Sequence, residues 1–242
     1  GIVYSSGNAE FVTTTLEWCG AYEAAGYDQA PTYRIGNKKD YSRLKGKALS
    51  VAGKTEEAVA ALEIYLDAGN YGDQERIDQV FSLLQQGGHK EAGLSLAVKF
   101  YKEKLASGET GADLFFRYAS YLVQAGDQAQ VKNLLDRAVY DSIEKKEALN
   151  RAASLLEKAD KRIAALEYRN KLSDLAPENA GNKLNIALTL AASGKNAEAA
   201  NKLLTVVNEN AGINLVSQWQ DEYLEVMAQA KDVAATELAR LQ

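Results

Sequence analysis

In the stretch Ala180 to Ala211, AGNKLNIALTLAASGKNAEAANKLLTVVNENA, an apolar face carrying Ala187 and Leu190 is followed by a break at Gly194-Lys195. A second apolar face carrying Ala199, Leu203 and Val206 follows the break. Stepping back by 34 residues, twice, places Asp160 and Gly126 at the break, Ala153 and Ala119 at the small position, and Leu156 and Leu122 beside it. Helical spacing on both sides of a reversal describes two short antiparallel helices. A fixed period of this size describes a stack of such pairs, each covering the face its neighbour leaves open. The chain is therefore expected to be all-α.

The same template places the other copies. The first starts near Tyr41, with Gly46, Leu49, Gly53, Ala58, Leu62 and Tyr65 at equivalent positions, and the second runs from about Gln74 through Phe81, Leu84, Gly88, Gly93 and Phe100. From Gly88 to Gly126 the spacing is 38 residues, and the loop ASGETG (Ala106 to Gly111) is expected to hold the extra four. The third and fourth copies begin near Ala112 and Lys146. Beyond the fifth the pattern continues only if the register slips to Leu224 and Met227, and a last helix is expected over about Asp232 to Leu241. Before the array, Gly1 to Gly7 reads as a terminal arm and Asn8 as the N-cap of a helix over residues 9 to 25. Pro31 and Gly36 make Gly26 to Asp40 a loop. This divides the chain into residues 1–40, an arm, capping helix and loop, and 41–242, a repeat array with C-terminal capping helices.

The pattern has a packing origin. Two helices approach closely only where a side chain is small, which suits Ala119, Ala153 and Ala187 on first helices against Val131, Ala165 and Ala199 on second helices. A Gly at the turn ends a helix within one residue by taking the left-handed conformation.

These residues, above all ALEYRNKLSDLAPEN (Ala165 to Asn179) followed by NKLNIALTLAASGKNAEAANKLLTVV, closely resemble the tetratricopeptide repeat over roughly residues 41 to 211. The resemblance implies a right-handed superhelical solenoid of antiparallel helix pairs, about five repeats plus terminal capping helices. It also implies that the first helix of each pair lines a concave groove for peptides or partner proteins. Several residues depart from the family pattern. Asp160 replaces the turn Gly, Arg169 stands where an aromatic is usual, Lys45 takes a place normally apolar, and most repeats lack the closing Pro that Pro177 supplies. The clamp residues of the family's chaperone-tail binders are not reproduced, so that ligand is not expected.

On this resemblance the groove is lined by Arg43, Lys47, Gln79, Ser82, Asp113, Arg117, Ser120, Glu147, Asn150, Arg151, Ser154 and Asn185, with Tyr118 and Tyr121 at its border. Arg117, Arg151 and Asn185, 34 residues apart, are expected to form a polar ladder whose guanidinium forks grip a carboxylate or backbone carbonyls of a peptide. Against this stands the plainer reading of solvated helix faces with partial pairing along each helix. A basic run, with Arg34, Lys38, Lys39, Arg43, Lys45, Lys47 and Lys54 against Asp40 alone, is a second candidate for an acidic partner segment, although ordinary solvation explains it too.

Catalytic readings are weak by comparison. GKALSVAGKT (Gly46 to Thr55) has a superficial likeness to a phosphate-binding loop, but Ala48 stands where its first Gly belongs and the context is helix-turn-helix. His89, the one histidine, is expected to be solvent-exposed in its GGHKE turn and belongs to no metal set. Cys19 lies on the apolar side of the first helix and reads as a core residue. Glu56 and Glu57 suit a helix N-terminus. No cofactor and no metal are expected. A net charge of -5 and a pI near 5.2 oppose non-specific binding to nucleic acid, and no apolar run reaches membrane-spanning length.

The resulting expectation is a non-catalytic scaffold or adaptor that binds another protein or peptide. It is expected to be soluble, cytoplasmic or periplasmic, and its oligomeric state is left open. Two alternatives are a structural assembly module of a larger bacterial envelope or secretion complex and a regulatory domain of a larger enzyme. Because the chain begins at Gly1 rather than Met, it is expected to be processed or truncated.

Overall fold

The computed structural model describes residues 9–26, 38–67 and 73–209, and every regular element among them is a helix. In chain order these are α1 (Ala9–Ala24), α2 (Lys38–Val51), α3 (Thr55–Asp67), α4 (Asp73–Gln86), α5 (Lys90–Ala106) and α6 (Ala112–Gln124). There follow α7 (Val131–Asp141), α8 (Lys145–Lys158), α9 (Arg162–Leu175), α10 (Ala180–Ala192) and α11 (Asn196–Glu209). The terminal arm with its Asn8 cap, the loop residues Pro31 and Gly36, the register slip at Leu224 and Met227 and the last helix lie outside the described residues.

Each pair reverses in the same way. At Gly53, Gly88, Gly126 and Gly194 the backbone takes φ values of 76°, 87°, 79° and 78°, the left-handed region that glycine enters without steric cost. The next N–H then reaches back five residues: Lys54 to the Leu49 carbonyl at 3.0 Å, His89 to Leu84 at 2.8 Å, Asp127 to Leu122 at 3.0 Å and Lys195 to Leu190 at 2.9 Å. That bond satisfies a carbonyl left without a partner at the end of the first helix. The fourth pair makes the same turn with Asp160 at φ 57° and the Lys161 N–H on the Leu156 carbonyl at 2.8 Å. Aspartate tolerates this conformation better than most residues with a Cβ, so the departure from Gly leaves the turn intact.

The turn lays the second helix on the first at small residues. Ala119, Ala153 and Ala187 are wholly buried on first helices, as are Ala58, Ala165 and Ala199 on second helices. Gly46 of α2 shows how close the approach is, since a Cβ there would stand 2.5 Å from Leu62 Cγ and 3.3 Å from the Ala58 carbonyl. Around these contacts Leu62, Leu84, Phe115, Leu135 and Tyr168 fill the core with almost no exposure.

The helices group into two compact units, α1 to α5 in the first and α6 to α11, less Gln124, in the second. In the first unit α2 packs on α3 and α4 on α5, α4 lies beside α2, and α5 lies beside α3. In the second, α8 packs on α9 and α10 on α11, while α10 also meets α9 and α8 meets α7. The Arg137 guanidinium of α7 lies 4.2 Å from the centre of the Phe115 ring of α6. The four residues by which the second copy exceeds the others are not held by its loop as expected. Helix α5 is 17 residues long, against 13 for α3, because YKEKLA continues a run of helix formers until Gly108 stops it.

Helix α1 covers α2. Tyr22 stacks on Tyr41 at 5.0 Å, with Trp18 tilted against both. Glu23 accepts hydrogen bonds from the Tyr41 hydroxyl and the Lys45 ammonium, which explains why a lysine is tolerated at a place normally apolar. Cys19 is buried among these residues. Burial pushes its thiol above the ordinary range despite the nearby Lys45 charge, as suits a core residue.

Gly46→Val should destabilise the first unit by about 2 kcal/mol through overpacking against Leu62. Urea denaturation followed by circular dichroism should show a lower midpoint, and an unchanged midpoint would refute the close approach of α2 and α3.

Candidate functional site

The first helices of the pairs were expected to carry the site, and in the first unit they form a cleft. It lies between α2 and α4, has a volume of about 410 Å³, and is lined by Arg43, Asp78, Gln79, Ser82 and Leu83. Helical spacing presents Arg43 one turn from Lys47 on α2, and Gln79 one turn from Ser82 on α4. The Gln79 amide is held by the Tyr65 hydroxyl, which donates to its Oε1 at 2.8 Å. The Arg43 guanidinium and the Ser82 hydroxyl form no ion pair or hydrogen bond among the described residues. Their donors are open to a ligand.

The second unit treats its polar residues differently. Arg117 Nε donates to Asp113 Oδ2 at 2.7 Å and Arg151 Nη2 donates to Asp113 Oδ1 at 3.0 Å, so one carboxylate on α6 collects both arginines. Arg151 also lies 4.4 Å above the Phe116 ring. Burial raises the Asp113 carboxyl, but the two arginines outweigh it and hold the group below the ordinary carboxylate range. The expected ladder is therefore a closed cluster at Arg117 and Arg151, and the Asn185 side chain joins no hydrogen bond in it. Asn185 contributes its backbone carbonyl to Thr189 Oγ1 at 2.7 Å.

Asn150 and Ser154 are held by Arg169, the residue standing where an aromatic is usual. Arg169 is buried. Its Nε and Nη2 donate to the two oxygens of Glu157 at 2.8 and 2.7 Å, Nη1 donates to Asn150 Oδ1 at 2.6 Å, and Nη2 donates to Ser154 Oγ at 3.3 Å. Thr189 Oγ1 lies 3.1 Å from Glu157 Oε1 and shares its one proton between that carboxylate and the Asn185 carbonyl, and Asn182 Nδ2 donates to the Arg169 carbonyl at 3.0 Å. Burial raises the Glu157 carboxyl, yet the Arg169 fork and the Thr189 hydroxyl together bring it below its ordinary value. A planar guanidinium meeting a carboxylate with two parallel bonds is the geometry that offsets the desolvation of both. This network ties α8, α9 and α10 together.

The remaining expected groove residues are Glu147, which is exposed, and Ser120, which is half-buried, with the border residues Tyr118 and Tyr121 both buried. The periodic pattern did not reveal Glu157, Thr189 and Asn182 as partners. The one signal was Arg169 itself, a charged side chain at a core position that must find an acceptor. His89 differs from its expected solvent exposure. It is half-buried, with Nδ1 2.8 Å from Thr55 Oγ1 and Nε2 2.9 Å from the Ser50 carbonyl, so it ties the second turn to the first. Among the described residues no His, Cys, Asp and Glu cluster could hold a metal ion, and no helix is long and apolar enough to cross a membrane.

No protein-family model and no curated protein matches the chain. Among solved structures it is similar to the C-terminal part of a TPR repeat-containing protein from Cytophaga hutchinsonii. That likeness has 12% identity and a TM-score of 0.45, and it covers 97% of this chain and 98% of that one. The fold of this chain, five antiparallel helix pairs among the described residues with one recurring turn, is an all-α helical repeat.

Removing one member of the buried pair should be costly and removing both cheap. Arg169→Met alone should destabilise the second unit by about 3 kcal/mol, and adding Glu157→Leu should recover most of that loss. A double-mutant cycle of denaturation midpoints measures the difference. The same pair sets an acid sensitivity. Glu157 and Asp113 bind protons less readily in the folded chain than in the unfolded chain, whose carboxyls titrate near 4. Their contribution is therefore complete above that range and is lost as the pH falls through it toward the folded values. Between pH 6 and pH 3 the midpoint should fall, and by less in the Arg169→Met/Glu157→Leu variant than in the parent.

Proposed function

We propose that this chain is a non-catalytic protein-interaction module that takes an extended segment of another protein along its first helices, with the α2–α4 cleft as the principal contact. The observation that carries this reading is the cleft itself. It combines a guanidinium at Arg43 that forms no ion pair or hydrogen bond among the described residues, a carboxylate at Asp78, a hydroxyl at Ser82, an amide held in place at Gln79 and an apolar wall at Leu83. An extended peptide offers a row of backbone carbonyls that the Arg43 and Ser82 donors recognise and backbone N–H groups for the Asp78 carboxylate, while an apolar wall accepts an intervening side chain.

In the second unit Arg151, Asn150 and Ser154 are engaged between helices and Arg117 is paired with Asp113 within α6, so no recognition is assigned to them. Ser120, Tyr121 and Asn185 belong with them on the first-helix side. The weight of recognition falls on Arg43 and Gln79.

Affinity capture from a lysate of the source organism, with the parent chain and an Arg43→Glu variant as parallel baits, tests this. Arg43 forms no ion pair or hydrogen bond among the described residues, so the variant should keep its thermal transition and lose the prey that the parent retains, with an affinity loss of about tenfold or more. Prey held equally by both baits would refute the cleft as the contact.

A further inference from the structure

The α2–α4 cleft holds opposite charges at matching places. Arg43 and Asp78 each stand ten residues before the turn glycine of their own pair, Gly53 and Gly88, and so occupy the same position on two first helices that lie side by side. Both line the cleft. Packed helices have axes about 8–10 Å apart, a gap that an arginine side chain crosses to reach a carboxylate on the neighbouring helix. The second unit makes such a crossing, where Arg151 of α8 meets Asp113 of α6 at 3.0 Å. Between α2 and α4 the crossing is not made. Arg43 is half-buried and forms no ion pair or hydrogen bond among the described residues, so its guanidinium and the Asp78 carboxylate line one cleft without joining.

A half-buried guanidinium without a counter-ion has lost part of its hydration without gaining a bond. The carboxylate on the other wall makes the field in the cleft two-signed rather than uniformly positive. Asp78 also interacts within the chain, but a carboxylate has about four acceptor sites, so that engagement leaves it able to accept from a ligand. Ser82 and Leu83, one turn further along α4, add a hydroxyl and an apolar contact to the lining but no charge. A uniformly acidic segment would satisfy Arg43 and be repelled by Asp78, and a uniformly basic one would meet the reverse. Only a segment bearing one charge of each sign suits both walls.

We infer, resting on the cleft reading above, that the segment taken between α2 and α4 is a mixed-charge one. It sets an Asp or Glu against Arg43, a Lys or Arg against Asp78, and an apolar side chain against Leu83. In an extended segment the side chains on one side recur every second residue, about 6.8 Å apart, so an acid and a base two residues apart match the distance between neighbouring helices. The two charge-assisted contacts orient the segment across the cleft, and the association weakens as salt is raised.

A random-peptide display library tests this, selected on the parent chain and counter-selected on Arg43→Glu. The retained peptides should carry an acidic and a basic residue two or three positions apart. Arg43-dependent binders that are uniformly acidic or uncharged would overturn this inference and leave the cleft reading standing, whereas the absence of any Arg43-dependent binder would overturn both. A retained peptide, synthesised and titrated by fluorescence anisotropy, should bind Asp78→Asn at least about tenfold more weakly than the parent. An analogue of that peptide with its basic residue replaced by Gln should bind the parent and Asp78→Asn alike. This comparison separates recognition of the base from damage to the fold, since damage would weaken both peptides. Equal binding of the retained peptide to the parent and to Asp78→Asn, or a loss on Asp78→Asn that persists in the Gln analogue, would overturn the inference.

Discussion

Two helices lie against each other at close range only where the side chains between them are small, and in the fourth pair the fully buried Ala153 of α8 and Ala165 of α9 mark that place. The other features of the pair depend on it. Close approach requires the chain to reverse within a few residues, hence the left-handed residue and the five-residue return bond at each turn. It also leaves the larger side chains, such as Leu156 and Tyr168, to fill the flanks and to be covered by neighbouring helices. A pair of this kind has too little interior to stand alone, so its stability is shared with the helices packed on either side.

The Arg169 network shows how a core position can change its chemistry without changing the fold. An aromatic there would contribute buried area. The arginine contributes a fork that binds Glu157 and extends to Asn150 and Ser154. A buried ion pair adds little net stability over a well-packed apolar pair, but it imposes direction, since only one register of α8 against α9 satisfies every donor. The Asp113 cluster acts similarly between α6 and α8, at a more exposed site where each bond is worth less.

Polar residues at equivalent repeat positions are thus used in two ways. In the second unit they hold helices together. In the first unit, Arg43 beside the cleft forms no ion pair or hydrogen bond among the described residues, and that contrast, more than the number of polar residues on either face, is what the proposed recognition surface rests on. The aromatic cluster of Trp18, Tyr22 and Tyr41 under α1 adds a fixed boundary to that cleft's parent helix.

The periodicity of the sequence by itself determined the helices, their pairing and the five turns, because small residues, turn residues and apolar faces recur at a spacing that only one kind of packing satisfies. Even the departure at Asp160 was visible as a substitution at a known place. The resemblance to a known repeat put Arg43, Gln79 and Ser82 on the first-helix side, where the α2–α4 cleft lies, but the pattern did not single out Asp78 and Leu83, which line that cleft with them. It could not show which polar residues are free. Arg117 and Arg151 occupy the same repeat position, and only the tertiary structure decided that both turn to Asp113. The same holds for Asn150 with Arg169 and for His89 with Thr55 and Ser50. Whether a donor meets an acceptor depends on distances of a fraction of an ångström between helices far apart in the chain, and a one-dimensional pattern carries no such distances.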